Sequence, residues 1–500
     1  MAARPRRSIA LRNAALPAAL WAALSLVLPR AARADGVPLG PPPSEAQAHP
    51  AVGSDGRGGA IVSWKTASLL VGAVHVNAAG SPDGGFAFGP TSLPVSLEAS
   101  EPLRCAVPSD SQLLVLADRA AAAAPALTRV RTGGAASPGY PVALAIPLRH
   151  AAIVPGLAGR TLLVAKDSDA SSYWTLRAAI VGASGQVEFA VQVSSTLQFF
   201  NADAIDACTD GAGGLIAAMP FFDWASSSGK DLAVWKVAAD GSRPWRDGPR
   251  TIVSEAGDQS DVHVAPDGQG GVLLAWTDAR AYARSSDIFA LHLDANAQQV
   301  SGWQFDGTPV CDAPGAQSQP RITPDGGGGA WVVWLDRRAS VDGDLRYSHV
   351  RGDGSFAPGF TSDGTPLCGA AGAQAEVALA GDGAGGFFAV WRDDRSGTPD
   401  LYHQHVLASG LVAAGWPVDG QPLSTAPGVQ DQPAIASVAG GTVVIAWRDA
   451  RDGTARIYAA GVADPTTTAV PGGGRSGLRL TALASGRGLA RVLVSLAAPG

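Results

Sequence analysis

Short apolar runs that close on tryptophan recur along the chain: AIVSW, VLLAW, AWVVW, FFAVW and VVIAW end at Trp64, Trp276, Trp334, Trp391 and Trp447. A run this short and continuously apolar predicts a strand covered on both faces, because a half-exposed strand would alternate. The first four of these runs follow a DGxGG turn, at residues 55–59, 267–271, 325–329 and 382–386, with a further such turn at 210–214. Its glycines suit a tight hairpin that needs positive φ. A shorter strand precedes the turn, centred on Val52, Ile322, Leu379 or Ile435, and a third follows the tryptophan, beginning at Asp287, Asp344, Asp400 or Arg456. An aromatic residue and a DG step then introduce a fourth strand, DGTPV, DGTPL or DGQPL.

Aligned on the Asp of WxDxR, the copies place Asp118, Asp167, Asp223, Asp278, Asp336, Asp393 and Asp449 in one position, with Thr66 in the first copy and intervals of 49 to 58 residues. Four strands per period of this length predict an all-β fold, a β-propeller of eight four-stranded blades; seven blades and a stray hairpin is the alternative. The copies over residues 100–200 lose the glycine turn and the tryptophan, so less regular blades are expected there. The eighth copy ends near Ala463 without a fourth strand, while residues 35–39 read DGVPL, a spare fourth strand. Residues 36–39 are therefore expected to pair beside residues 457–462, closing the ring and leaving that blade no open edge.

The pattern DGxGGxxxxWxDxRxGxxDIY resembles the repeats of TolB-type and WD-like propellers among secreted bacterial proteins. The resemblance implies a scaffold that binds proteins or glycans, since such folds host many functions. After Pro465 comes the linker TTTAVPGGGRSG and a short β segment that resembles the opening of Ig-like cell-surface sorting domains. The expected division is 1–34, 35–464 and 465–500.

Composition narrows the setting. Arg4, Arg6, Arg7 and Arg12, an apolar stretch over 15–28 and the small-residue pattern Ala32-Arg33-Ala34 predict a signal peptide ending before Asp35. The expected location is secreted or cell-surface, in the periplasm or on the outer face of a bacterium, with no transmembrane span in the mature chain and a monomeric state. The formal charge is −6, and the leader contributes only basic groups, so the mature surface is acidic and does not attract nucleic acid. Cys105, Cys208, Cys311 and Cys368 are expected to be free thiols, because equivalent positions on neighbouring blades lie beyond disulfide reach. No CxxC pair or Cys/His cluster at zinc spacing is present, and no metal or cofactor is expected.

Candidate chemistry concentrates at the end of the tryptophan strand. Asp278 with Arg280, Asp336 with Arg338, Asp393 with Arg395 and Asp449 with Arg451, joined by Gln317, Gln319, Gln374, Gln430 and Gln432 from the following loops, form a candidate polar ring for a ligand. A structural role is favoured for the repeated pairs, Asp accepting within its turn and Arg pairing with Asp287, Asp344 or Asp400, since residues that do chemistry are rarely repeated in every blade. His75, His292, His349 and His405, with Lys236 and Gly461 in the same position, are expected to face solvent on the third strand. An enzyme is the alternative reading, a sialidase-like glycosidase or a lyase; SPDGGFAF at 81–88 loosely fits an Asp box. The chain has only six Glu, and no acid and base pair can be assembled around a scissile bond. Glu376 is the one Glu placed near the channel mouth. No catalytic residue is assigned, and a structural envelope component or adhesin is the third reading.

Overall fold

The computed structural model describes residues 35–39, 45–68, 70–88, 104–106, 112–117, 126–130, 137–140, 142–144, 149–168, 174–192, 205–222, 229–245, 249–280, 285–463, 478–483 and 491–496. Two compact units are present, Met1–Asp464 and Pro465–Gly500. In the second, Leu478–Leu483 pairs antiparallel with Arg491–Leu496. Among its described residues the first unit holds eight four-stranded sheets, all of antiparallel neighbours, which makes the chain an all-β propeller. The only helix described is the single 3-10 turn Leu157–Gly159, and among the described residues no helix is long and apolar enough to cross a membrane.

We number the blades 1 to 8 and letter their strands a to d outward from the channel. The a strands are Gln47–Ser54, Arg104–Ala106, Arg149–Pro155, Asp206–Thr209, Gln259–Pro266, Gln317–Pro324, Gln374–Gly381 and Gln430–Val438. They touch one another in that order and return from blade 8 to blade 1, so the ring is closed. The b strands of blades 1, 5 and 6, Ala60–Thr66, Val272–Asp278 and Ala330–Asp336, are buried at every position. This is why they read as unbroken apolar runs, each face being covered by the adjoining blade.

The closure follows the expected register. Val37 and Pro38 pair with Ala459 and Tyr458 on Arg456–Ala463, strand c of blade 8, and the Leu39 N–H donates to the Ile457 carbonyl at 2.9 Å. The DG glycines before the fourth strands of blades 5 to 8 have a steric reason. Gly36, Gly307, Gly364 and Gly420 have positive φ, and a β-carbon on them would fall 2.2 to 2.5 Å from the rings of Trp447, Trp276, Trp334 and Trp391. Gly36 thus does in blade 8, from the N-terminus, what the other three do within their own repeats.

Blades 2 and 3 are present as sheets, Arg104–Ala106 to Val142–Ala143 and Arg149–Pro155 to Val187–Gln192, with short or irregularly registered strands. Asp118 and Asp223 lie outside the described residues, as does the run of five alanines at 120–124. Cys208, Cys311 and Cys368 are free and buried, and burial raises their thiol pKa values, to about 11 at Cys311 and about 12 at Cys368.

Candidate functional site

The WxDxR carboxylates are saturated inside the fold. Asp393 accepts from Trp391 Nε1 at 2.8 Å, from the Arg395 backbone N–H at 3.0 Å, and from Arg395 Nε and Nη2 at 2.8 and 2.6 Å. Asp278, Asp336 and Asp449 repeat the arrangement with Trp276 and Arg280, Trp334 and Arg338, and Trp447 and Arg451. All four carboxylates are buried, which leaves them no capacity for a ligand.

The Arg partners differ from expectation. Each Arg returns to the Asp two residues before it and not to Asp287, Asp344 or Asp400, because strand pairing sets those acids directly opposite the first carboxylate. Asp344 and Asp400 are raised above the ordinary carboxylate range, chiefly by burial and then by the neighbouring Asp336 and Asp393. The Arg heads instead reach across to the previous blade, Arg338 Nη2 to Cys311 Sγ at 2.9 Å, Arg395 Nη2 to Cys368 Sγ at 3.1 Å and Arg451 Nη2 to Ser424 Oγ at 3.0 Å. Arg280, Arg395 and Arg451 also stack over Phe289, Tyr402 and Tyr458 of their own blades, so the motifs of blades 6, 7 and 8 are latches between blades, while Arg280 stays within blade 5 at the Asp306 carbonyl.

The repeated histidines likewise turn inward. His75, His292, His349 and His405 each meet the turn carboxylate of their own blade, Asp55, Asp267, Asp325 or Asp382, through Nε2 at 2.8 to 3.1 Å. They do not face solvent, because that carboxylate, held by two turn N–H groups, lies beside the end of strand c. Lys236 makes the same contact with Asp210 at 3.4 Å. In blade 8, Val438 replaces the turn Asp and Gly461 replaces the His, so both partners are missing together.

The channel mouth, at the face where strand a begins and strand b ends, is different. Strand a opens with a buried Gln in blades 1, 5, 6, 7 and 8: Gln47, Gln259, Gln317, Gln374 and Gln430. In the last four the amide Nε2 ties down the preceding loop, at the carbonyls of Gly257, Gly315, Gly372 and Gly428. Gln374 is therefore a loop staple and no part of a ligand surface. Two residues later each of these strands bulges, and the bulge carries a non-glycine residue in the left-handed region: His49, Asp261, Gln319, Glu376 and Gln432, with φ of 51°, 49°, 55°, 54° and 52°. Such backbone is costly for residues with a Cβ, and bulges re-aim side chains beside binding sites.

Three of the five are linked. Glu376 Oε2 accepts from the Gln432 N–H at 2.6 Å, and Gln432 Oε1 accepts from the His49 N–H at 2.8 Å. Arg392 pairs with Asp394 at 2.7 Å and stands 3.9 Å from Glu376 Oε1, while Arg448 clasps Asp431. Burial and then the charges of Lys65 and Arg448 lower the pKa of His49, which keeps its imidazole neutral at pH 7. Asp261, Gln319 and Glu376 are exposed. The result is a rigid rim of donors and acceptors spanning five consecutive blades. A second opening, about 410 Å³, lies on the outer edge between blades 4 and 5, lined by Arg250, Ile252, Leu291, Leu293 and Gln299 beside the exposed Phe305.

No family model matches the chain, and no curated relative does. Solved structures similar to it include the polysaccharide lyase Uly1, 12% identical over 77% of this chain and 93% of that one, TM-score 0.43. The alpha-L-arabinanase of Penicillium chrysogenum complexed with arabinobiose is also 12% identical, over 63% of this chain and 92% of that one, TM-score 0.35. A protein of unknown function from Dyadobacter fermentans gives 12%, 63%, 94% and 0.36. Likeness at this level transfers no substrate, so what the site can do rests on its own geometry.

Sequence reasoning named Gln319, Gln432 and Glu376, but it did not see that they share a position, nor that His49 and Asp261 belong with them. Counting two residues on from the buried Gln in QAH, QSD, QSQ, QAE and QDQ finds all five.

Proposed function

We propose that the protein is a glycan-binding β-propeller, secreted or displayed at a bacterial cell surface, whose site is the channel mouth formed by His49, Asp261, Gln319, Glu376 and Gln432. The observation that carries this reading is the left-handed backbone repeated at one bulge in five consecutive blades, each with a polar side chain. Strain is retained where side-chain direction matters, and a ring of fixed amides, carboxylates and one neutral imidazole is complementary to the hydroxyls of a sugar. Binding fits this rim better than glycoside cleavage. Glu376 is engaged by a backbone N–H, Asp394 by Arg392 and Asp431 by Arg448, which leaves Asp261, with one long hydrogen bond from Thr277 Oγ1 at 3.4 Å, as a single carboxylate, whereas hydrolysis needs two carboxyl groups held around one bond. The test is a glycan array followed by calorimetric titration of the best ligand with the wild type, Gln319→Ala and Asp261→Asn. The expected result is saturable binding weakened at least about tenfold in either variant, roughly 1.4 kcal/mol. Absence of glycan binding, or titrations identical in all three proteins, would refute the proposal.

A further inference from the structure

Further inside the mouth, the a strands present a second level of residues, each paired with the residue just before the tryptophan position of strand b. Blades 1, 7 and 8 place Ala51, Ala378 and Ala434 there, all partly exposed, while blades 4, 5 and 6 place Asp206, His263 and Arg321. At this level blades 7, 8 and 1 therefore carry small side chains and blades 4, 5 and 6 a charged array.

The array has a definite proton arrangement. Arg321 Nη1 lies 2.8 Å from His263 Nε2, and a guanidinium can only donate, so Nε2 accepts. His263 then carries its proton on Nδ1, which faces Asp206 Oδ2 at 3.2 Å, and the same oxygen accepts from the Val264 N–H at 2.9 Å. Asp206 is thus occupied by a neutral imidazole and a backbone group, and it makes no direct ion pair with Arg321. Arg321 Nη1 also donates to the Pro320 carbonyl at 2.9 Å. Its Nε and Nη2 have no partner among the described residues. Burial lowers the pKa of Arg321, and the more distant Asp206 and Asp261 only partly compensate. The side chain is a partly desolvated cation with the planar two-donor edge of its head unused.

We infer that Arg321 is the anion subsite of this channel, receiving the carboxylate of an acidic sugar on its Nε and Nη2 edge while the rest of the glycan lies against the mouth. The inference rests on the glycan reading of that mouth and names its substrate class. A planar carboxylate matches the guanidinium edge with two parallel charge-assisted bonds. Ala378 and Ala434 leave the space it needs, and His263 fixes the guanidinium from the other side.

The test titrates the full chain with sodium D-glucuronate and with D-glucose, followed by saturation-transfer NMR, at constant ionic strength set with sodium chloride. Wild type, Arg321→Gln, Arg321→Lys and Ala378→Glu are compared, with circular dichroism to verify folding. Ala378→Glu leaves Arg321 in place and offers it a carboxylate from the next blade, so the test survives if loss of the arginine unfolds the protein. Expected are saturable glucuronate binding by the wild type, at least tenfold weaker in Arg321→Gln and Ala378→Glu and intermediate in Arg321→Lys, with glucose far weaker throughout. Glucuronate binding that is absent, or equal in wild type and both charge variants, overturns the inference. A neutral oligosaccharide titration in parallel separates the two readings. Arg321→Gln that keeps neutral binding but loses glucuronate supports the channel subsite, whereas glucuronate binding through Arg321 without any neutral binding keeps the subsite and removes the mouth.

Discussion

Replacing Asp393 with Ala tests the blade latch directly. The substitution removes the acceptor for Trp391 Nε1, a fully buried donor, and for three donors of Arg395. An orphaned buried N–H costs about 1–3 kcal/mol, and breaking a buried ion pair costs about 3–5 kcal/mol. The Arg395 side chain is 21% exposed, however, and keeps the Asp419 carbonyl at 2.8 Å, so water and that carbonyl recover part of the loss. The expected cost is about 3 kcal/mol, the low end of that range. With unfolding entropy near 2.1 cal/mol/K per residue, this lowers Tm by about 3 °C for a propeller of this size. Arg395→Met should cost more than Asp393→Ala, since it leaves a fully buried carboxylate behind, and the double variant should recover stability relative to the sum of the two. Burial opposes ionisation of Asp393, yet the hydrogen bonds from Arg395 and Trp391 outweigh it and hold the pKa below the ordinary value. A depressed carboxylate stabilises the fold above its unfolded pKa and loses that contribution as pH falls through the folded one. The difference between wild type and Asp393→Ala should therefore be flat from neutrality to about pH 5 and shrink below about pH 4. Guanidinium unfolding followed by tryptophan fluorescence and circular dichroism measures all four proteins. A cost under about 1 kcal/mol for Asp393→Ala, or simple additivity of the two single variants, would refute the latch. Blade 1 bounds the claim from within the chain: Thr66 stands where the Asp would be, Trp64 Nε1 has no partner, and the blade still forms.

Two further outcomes follow from the geometry. Burial pushes the His403 imidazole down to about 3, and its Nδ1 has no partner. Its neutral form stabilises the fold above the unfolded value near 6.5, and that contribution drains away as pH falls toward 3 by up to about 1.4 kcal/mol per unit; His403→Leu should flatten this part of the acid limb in pH-dependent denaturation, and an unchanged slope would contradict the assignment. Gly36→Ala sets a β-carbon against the Trp447 ring at φ +68°, so it should cost about 2–4 kcal/mol and expose residues 35–39 to protease, as Gly420→Ala should destabilise blade 7; a change in melting temperature too small to measure would show that the N-terminal strand does not seal the ring.

Much of this architecture was readable without coordinates because each blade repeats the same local problem. The b strands had to be apolar throughout, the turns had to hold glycine, and a missing fourth strand at one end matched a spare one at the other. Those constraints are local or recur at a fixed interval, so the amino-acid order alone determined the strand pattern, the free thiols and the pairing of Val37 and Pro38 with Tyr458 and Ala459. Side-chain direction was not determined in the same way. Whether a strand c histidine meets solvent or its own turn carboxylate depends on how the sheet twists around the turn. Whether Arg338 pairs with Asp336 or Asp344 depends on which acid the register leaves in reach. The bulge residues themselves share no side-chain type, and the Gln two positions before them marks a bulge only once the folded register is known, so His49 and Asp261 joined Gln319, Glu376 and Gln432 in the folded sheets. The contact of Asp206 with His263 and Arg321 is more remote still, because three residues more than fifty positions apart meet only when separate blades are set around one axis. The repeat specified the blade; closing the blades into a ring decided what faces the channel.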